Sequence, residues 1–249
     1  MKRYFISQHP TFGSYENPNS KKIQKSPYYF WWLALTLNTE YIEYCDKANS
    51  ESHPKNATLR AVYDDFGDVR YNGDKFLAFT KWWRTKVNAT ETRGEYLFAE
   101  PIAQHRVQLI EDEQAAKIAL HDSSTLLVAL PSSITRKQLD SALENIIRKN
   151  LSFERGRQTR NPSRSNARYS LSKPIKAESL LTSFNLYELT QKNNDGISNF
   201  KLAKLVGIEV NSQIGTEPSR VRRKISTAVS RKKKLASDAI QNVVQGWFL

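Results

Sequence analysis

The chain has 249 residues, of which 39% are hydrophobic, and a formal net charge of +13. This length allows one large domain or two ordinary ones, with enough apolar residues for a core. The single cysteine, Cys45, excludes an intramolecular disulfide and a cysteine-rich metal site, and the longest apolar run, residues 28–37, is too short to span a bilayer. We therefore expect a cytoplasmic protein that has no membrane partner and needs no cofactor.

The positive charge is confined to one half of the chain. From Ile134 onward there are 22 Lys and Arg residues and 9 Asp and Glu residues, so this part carries the whole excess of +13. Residues 1–133 are neutral overall. The asymmetry predicts a neutral folded half followed by a half that binds a polyanion.

The first predicted elements are an arm and an aromatic helix. Residues 1–25 are polar and interrupted by proline and glycine, which predicts a flexible arm. Ser26 and Pro27 are typical of a helix start, and a helix from there to about Lys47 would carry aromatic residues around most of its circumference. We expect this helix to lie at the centre of an N-terminal core.

A second aromatic helix is predicted after a short one. Residues 59–66 predict a short helix stopped by Gly67, and Asp74 can cap a helix that runs to about Val87. Four of the five tryptophans form the adjacent pairs 31–32 and 82–83. They are interpreted as the contact between the two long helices. The alternative is a platform on which nucleobases stack.

The rest of the first half mixes predicted strands with one helix. Residues 96–99 and 106–110 are candidate short strands, and residues 125–130, which are apolar and end at Pro131, are the clearest strand. Thr135 and Gln138 form a capping-box pattern that opens a helix to about Asn150. Residues 26–150 are therefore expected to be one mostly helical domain with a minor β component.

An arginine-rich segment at 151–176 separates the predicted domains. It combines arginines with Ser, Asn, Gly and Pro, and nothing in it can build a core. It is either a solvated hinge or an arm that becomes ordered on a phosphate backbone. The arginines in question are Arg155, Arg157, Arg160, Arg164 and Arg168.

Residues 197–208 carry the most specific motif. Ser198 can cap a helix whose apolar face is Leu202, Leu205 and Val206, and Ala203 is small where two helices would approach closely. Gly207 follows at a position suited to a positive φ. This pattern resembles the first helix and turn of helix-turn-helix DNA-binding domains. The resemblance covers the C-terminal third only, and the segment 209–217 is longer than the family's turn of three or four residues.

The last predicted element is a long basic helix. Pro218 fits a first helical turn, and no proline or glycine follows until Gly246. Apolar residues recur at spacings of three, four and seven, which predicts one buried stripe. Eight cations and no acid lie in residues 218–234, whereas a solvated helix usually mixes its charges. The resemblance implies that this helix lies in the major groove of DNA.

The predicted DNA-binding residues lie on the basic helix, on the helix before it and in the linker. Those on the two helices are Ser219, Arg220, Arg222, Arg223, Lys224, Thr227, Arg231, Lys232, Lys233, Lys234, Lys201 and Lys204. The linker adds the five arginines named above. Lysine and arginine neutralise phosphates, and a subset on the first turns of the basic helix would contact base edges.

No catalytic site is predicted. Residues 64–68 spell Asp-Asp-Phe-Gly-Asp, but the other kinase motifs are absent. These acids could hold Mg²⁺ in a nuclease, although capping or solvation explains them more simply. The four histidines lack metal-ligand spacing.

The expected fold is mainly α in two helical domains, 26–150 and 177–249. The expected function is non-enzymatic binding of duplex DNA, as a transcriptional regulator or a DNA-recognition factor of a microbial or mobile-element system. The main alternative is a non-catalytic subunit of a larger nucleoprotein complex that grips RNA or DNA without sequence choice. A homodimer or a larger assembly through the N-terminal domain is compatible with both.

Overall fold

The structure is a computed structural model that describes residues 5, 11–47, 56–100, 109–121, 126–150, 165–171, 176–193, 196–209 and 218–249. These residues are mainly helical, which confirms the predicted fold class. The helices are α1 (Ser20–Ile23), α2 (Pro27–Leu37), α3 (Thr39–Lys47), α4 (Ala57–Phe66), α5 (Lys75–Arg84), α6 (Arg93–Phe98), α7 (Glu113–His121), α8 (Arg136–Asn150), α9 (Ala177–Lys192), α10 (Asn199–Leu205) and α11 (Pro218–Asn242), followed by a 3-10 turn, Val243–Gln245.

Helix α2 lies at the centre of the core, as its aromatic sequence predicts. Its first nine residues are all buried. The continuous helix expected to Lys47 is interrupted at Asn38, which is extended and starts α3 by accepting a 2.8 Å hydrogen bond from the backbone N–H of Tyr41. Asparagine is a favoured N-cap residue, and here it begins a second helix. The predicted long helix is therefore two shorter ones.

Helices α4, α5 and α6 pack around α2 and begin at side-chain caps. Asn56 caps α4, and Asp74 caps α5 as predicted, because its carboxylate accepts from the backbone N–H groups of Phe76 and Leu77 at 2.9 and 2.7 Å. Gly94 on α6 lies against the indole of Trp83, where an added Cβ would be 2.1 Å from a ring carbon. This close approach lets α6 cover α5.

The two tryptophan pairs are core residues. Trp31 and Trp32 are fully buried, and Trp82 and Trp83 are 7% and 6% exposed. The indole of Trp83 stacks on Phe98 with ring centroids 5.8 Å apart and an angle of 5° between the planes. This burial confirms the interpretation of the pairs as core contacts, since none of the four rings is open to a nucleobase.

One hydrophobic core unites residues from both predicted domains. Phe184 of α9 stacks on Phe30 at 5.7 Å between centroids, and Phe248 stacks on Trp31 at 5.5 Å. Ala239, Ile240 and Val243 at the end of α11 belong to the same core. The helices of 177–249 are thus not independent of 26–150: the core lies across the predicted boundary.

Part of the predicted arm also belongs to this core. Phe5, Phe12 and Ile23 are buried in it, and the Phe12 ring lies 5.0 Å from that of Trp83. Residues 11–25 are therefore not a flexible arm. Their few apolar side chains pack against the aromatic helices, and the polar composition of the segment as a whole does not predict this packing.

The predicted β component is not found in the residues that the structure describes. Residues 96–99 belong mostly to helix α6 rather than to a strand, and residues 126–130 form neither a strand nor a helix. Residues 101–108 and 122–125 lie outside the described residues. A strand needs a neighbour for its backbone hydrogen bonds, and the described residues form only isolated bridges, between Gly13 and Pro18 and between Lys86 and Thr92.

Helix α8 begins at the predicted capping box. The hydroxyl of Thr135 donates to Gln138 at 2.7 Å, and the backbone N–H of Gln138 lies 3.4 Å from the Thr135 oxygen. The apolar side chains of α8, Leu139, Leu143, Ile146 and Ile147, are half-buried. The predicted start of α8 is thus confirmed, and the helix lies outside the buried core.

Candidate nucleic-acid interface

Helices α9, α10 and α11 pack around a small cluster of their own. Leu186 of α9, Leu202 and Ala203 of α10, and Val229 of α11 are buried together. The half-buried side chains of Ile197, Val206 and Ile225 close its edges. The cluster places the basic helix against α10, the arrangement that the predicted motif requires.

The caps and turns of α10 match the sequence motif in most positions. The backbone N–H of Lys201 lies 3.4 Å from the hydroxyl oxygen of Ser198, which caps the helix, and Gly207 has a φ of +67°. Leu205 was expected to face inward but is 58% exposed, whereas Ala203, predicted where two helices approach closely, is buried. Residues 210–217, which include most of the long predicted turn, lie outside the described residues.

The basic half of α11 exposes a stripe of cations on one face. Arg220, Arg223 and Lys224 are exposed, and Arg231 and Lys234 continue the stripe on later turns. Val229, Ala236 and Ala239 are buried on the opposite side. The predicted separation of apolar and charged faces is therefore present, and none of these cations forms a salt bridge to a described acid.

Lys232 and Lys233 differ from the other cations of α11. Both are half-buried, as their positions at the edge of the apolar stripe predict. The Lys232 ammonium donates to the hydroxyl of Ser179 on α9 at 3.1 Å, and burial lowers the pKa of Lys232 below its ordinary value. Lys232 therefore contributes to the contact between α9 and α11, and its predicted contact with DNA is less accessible than those of Arg231 and Lys234.

Helix α10 adds two predicted cations to the same region. Lys201 and Lys204 are exposed. Two residues that the sequence analysis missed lie beside them: Phe200, which is 51% exposed, and Asn199, whose amide donates to Ser226 at 3.1 Å and lies 3.4 Å from Ser230. Ser219 and Thr227, also predicted to contact DNA, are exposed on α11.

Of the five linker arginines, Arg168 lies among the described residues. Arg155, Arg157, Arg160 and Arg164 lie outside the described residues. Arg168 is bound to the N-terminal helices: its guanidinium lies 3.4 Å from the Asp65 carboxylate and 4.4 Å from the ring centroid of Tyr96. These contacts give Arg168 a structural role and make it a poorer phosphate ligand than the sequence suggests.

The acidic residues 64–68 are engaged with partners in the protein. Asp65 accepts a 2.9 Å hydrogen bond from the Tyr169 hydroxyl, Asp64 lies 3.9 Å from Arg60, and Asp68 pairs with Arg70 at 2.6 Å. The Arg70 side chain holds the pKa of Asp68 below its ordinary value. Within the described chain no group of three or more His, Cys, Asp or Glu side chains is arranged to hold a metal ion.

Comparisons of the chain with protein-family models, with curated proteins and with solved structures give no match. Of the helices that the structure describes, none has the length and apolar character needed to cross a membrane.

Proposed function

We propose that this chain is a non-enzymatic DNA-binding protein that uses the first half of α11 to contact duplex DNA. The observation that carries the proposal is the exposed stripe of α11, where cations face solvent without described acidic partners. Like charges on successive helical turns destabilise one another. A phosphate backbone removes this repulsion and gains the entropy of released counterions.

The packing of α11 supports contact with base edges. Its last turns are buried in the aromatic core, and its middle is held by α9 and α10. A helix fixed in this way loses little conformational freedom on binding. The helix-turn-helix resemblance places its first turns in the major groove, where Arg220, Arg222, Arg223 and Lys224 would lie nearest the bases.

The cellular role that fits is a transcriptional regulator or a DNA-recognition factor of a microbial or mobile-element system, acting in the cytoplasm. Both roles need sequence choice, which the arginines of α11 can supply. The single cysteine, Cys45, is buried and unpaired, and it suits a reducing compartment.

A second candidate function is supported by the length of the stripe. Arg220 and Lys234 are 14 positions apart, which is about 21 Å along the helix axis. Cations spread over this distance can follow a phosphate backbone without reading bases. The chain would then be a non-catalytic subunit of a larger nucleoprotein complex, assembled through its N-terminal helices.

Selection of bound fragments from random duplex DNA, followed by affinity measurement, separates the two. A sequence-reading protein should enrich a defined site and bind it on the order of 10³-fold or more tightly than unrelated duplex at physiological salt. Enrichment of no site, with tight binding to every duplex, would favour the nucleoprotein subunit. Absence of binding to duplex DNA at low salt would contradict the proposed DNA binding.

A further inference from the structure

An aromatic side chain is held outward beside the basic half of α11. Phe200 of α10 keeps 51% of its surface exposed, whereas its helix neighbours Leu202 and Ala203 are buried. The guanidinium carbon of Arg222 lies 5.9 Å from the centroid of the Phe200 ring, near the outer limit of a cation–π contact. The ring therefore lies beside a cation of α11 and outside the core.

The position of this ring relative to α11 is fixed. Asn199, the residue before it, donates to the Ser226 hydroxyl of α11 at 3.1 Å. Leu202, two residues after it, is buried against Val229 of the same helix. With both neighbours anchored, Phe200 is held next to α11, and its ring and the Arg222 guanidinium can approach a ligand together.

A base-paired duplex offers a phenylalanine few partners. In the major groove the donors and acceptors of the base edges suit arginine, and the apolar group on those edges is the C5 methyl of thymine. Neighbouring base pairs are about 3.4 Å apart along the axis. Since 5.9 Å is more than one such step and less than two, the guanidinium and the ring are close enough to contact adjacent base pairs.

We propose that Phe200 and Arg222 form a specificity site for a thymine next to a guanine, in which Phe200 contacts the thymine methyl and Arg222 contacts the guanine. This inference rests on the proposed duplex-DNA binding and adds a base preference to it. Lys201 and Lys204, exposed on the same helix, would hold the adjacent phosphates.

The test compares two versions of the duplex enriched from the random pool. One has thymine at the proposed position, and the other has uracil there, which differs from thymine only in lacking the C5 methyl. Removal of one methyl contact worth about 0.8 kcal/mol should weaken binding of the unmodified protein about fourfold. The Phe200→Ala protein should bind both duplexes equally. The matched control is Leu205→Ala, which truncates an exposed apolar residue of the same helix and should keep the discrimination.

The outcomes separate this inference from the proposed function. Equal affinity of the unmodified protein for the thymine and uracil duplexes, or an enriched site without a thymine beside a guanine, would overturn the inference and leave DNA binding intact. A Phe200→Ala loss seen with single-stranded but not paired DNA would also overturn it, because the ring would then stack on an unpaired base. Absence of binding to any duplex would remove the proposed function itself. Equal melting temperatures should show that both variants fold.

Discussion

Asn38 and Ile240 are joined by a buried hydrogen bond, in which the side-chain amide of Asn38 donates to the backbone carbonyl oxygen of Ile240 at 2.7 Å. The two residues are 202 positions apart in the sequence. The same asparagine ends α2 and starts α3, and Ile240 lies near the end of α11. The bond thus anchors the basic helix to the centre of the aromatic core.

Replacement of this amide should destabilise the whole fold. Asn38→Ala leaves the Ile240 carbonyl buried without its donor, and we expect a loss of about 1–3 kcal/mol in the free energy of unfolding, measured by urea denaturation. Asn38→Asp keeps the oxygen that accepts from Tyr41 but sets a carboxylate against the Ile240 carbonyl. If Asn38→Asp were as stable as the unmodified protein, the bond to Ile240 would have no role.

The tryptophan pair of α5 should contribute to stability and not to binding. Trp83 is 6% exposed and lies within 6 Å, centroid to centroid, of Phe5, Phe12 and Phe98. Trp83→Ala should cost about 3–5 kcal/mol of unfolding free energy, because the cavity cannot collapse fully. Unchanged melting together with lost DNA binding would instead support a base-stacking platform.

Buried tyrosines should make the protein unstable at alkaline pH. Burial raises the pKa of Tyr29, Tyr41 and Tyr169 above the ordinary value of 10.0. Above about pH 10 the unfolded chain releases these protons and the folded chain retains them, so their stabilisation, complete below pH 10, falls as the pH rises.

This dependence can be measured by urea denaturation and tyrosinate absorbance at several alkaline pH values. The absorbance of the three tyrosines should rise only as the helices unfold. Tyr169→Phe should make the fall in stability shallower by up to about 1.4 kcal/mol per pH unit, the effect of one proton. Ionisation of all tyrosines near pH 10 with helicity retained would contradict the burial.

The cations on the first turns of α11 and those on its later turns should respond differently to alanine. Arg222→Ala should cost about 1–3 kcal/mol of binding free energy and relax sequence preference, since this arginine lies on the first turns. Lys234→Ala, about 18 Å further along the axis, should weaken binding to all duplexes alike and make the salt slope shallower by about one. If both variants lose affinity equally for all duplex sequences, α11 contacts the phosphate backbone and does not read bases.

Local sequence signals predicted much of this structure. The caps at Asp74, Thr135 and Ser198 and the apolar stripe of α11 depend on nearby residues, and all are present. The break at Asn38 was missed although its cap to Tyr41 is local, and the bond from the same side chain to Ile240, 202 positions away, is contained in no local pattern. The inclusion of Phe5 and Phe12 in the core likewise depends on tertiary packing.

The incorrect predictions also concern features that depend on tertiary packing. Residues 126–130 have the composition of a buried strand, but Leu126, Leu127 and Leu130 are exposed, because no other part of the described chain packs over them. On α10 the spacing predicted an apolar face of Leu202, Leu205 and Val206, but only Leu202 and Val206 pack against the cluster and Leu205 is exposed. A helix of seven residues is too short for spacing to decide its orientation.

The central claim is that the first turns of α11 bind DNA, and a charge-matched comparison tests it most directly. The affinity of a labelled duplex is measured against salt concentration for the unmodified protein and for two variants, each with four cations changed to glutamine. One variant changes Arg220, Arg222, Arg223 and Lys224, and the control changes the exposed lysines Lys21, Lys25, Lys81 and Lys86.

With five to eight phosphates neutralised, the unmodified protein and the control should show a slope of log K against log salt of roughly −4 to −7. The α11 variant should bind far more weakly, with a slope shallower by about three to four, because it lacks those phosphate and base contacts. A slope near zero for the unmodified protein, or equal losses in both variants, would contradict the assignment of DNA binding to α11.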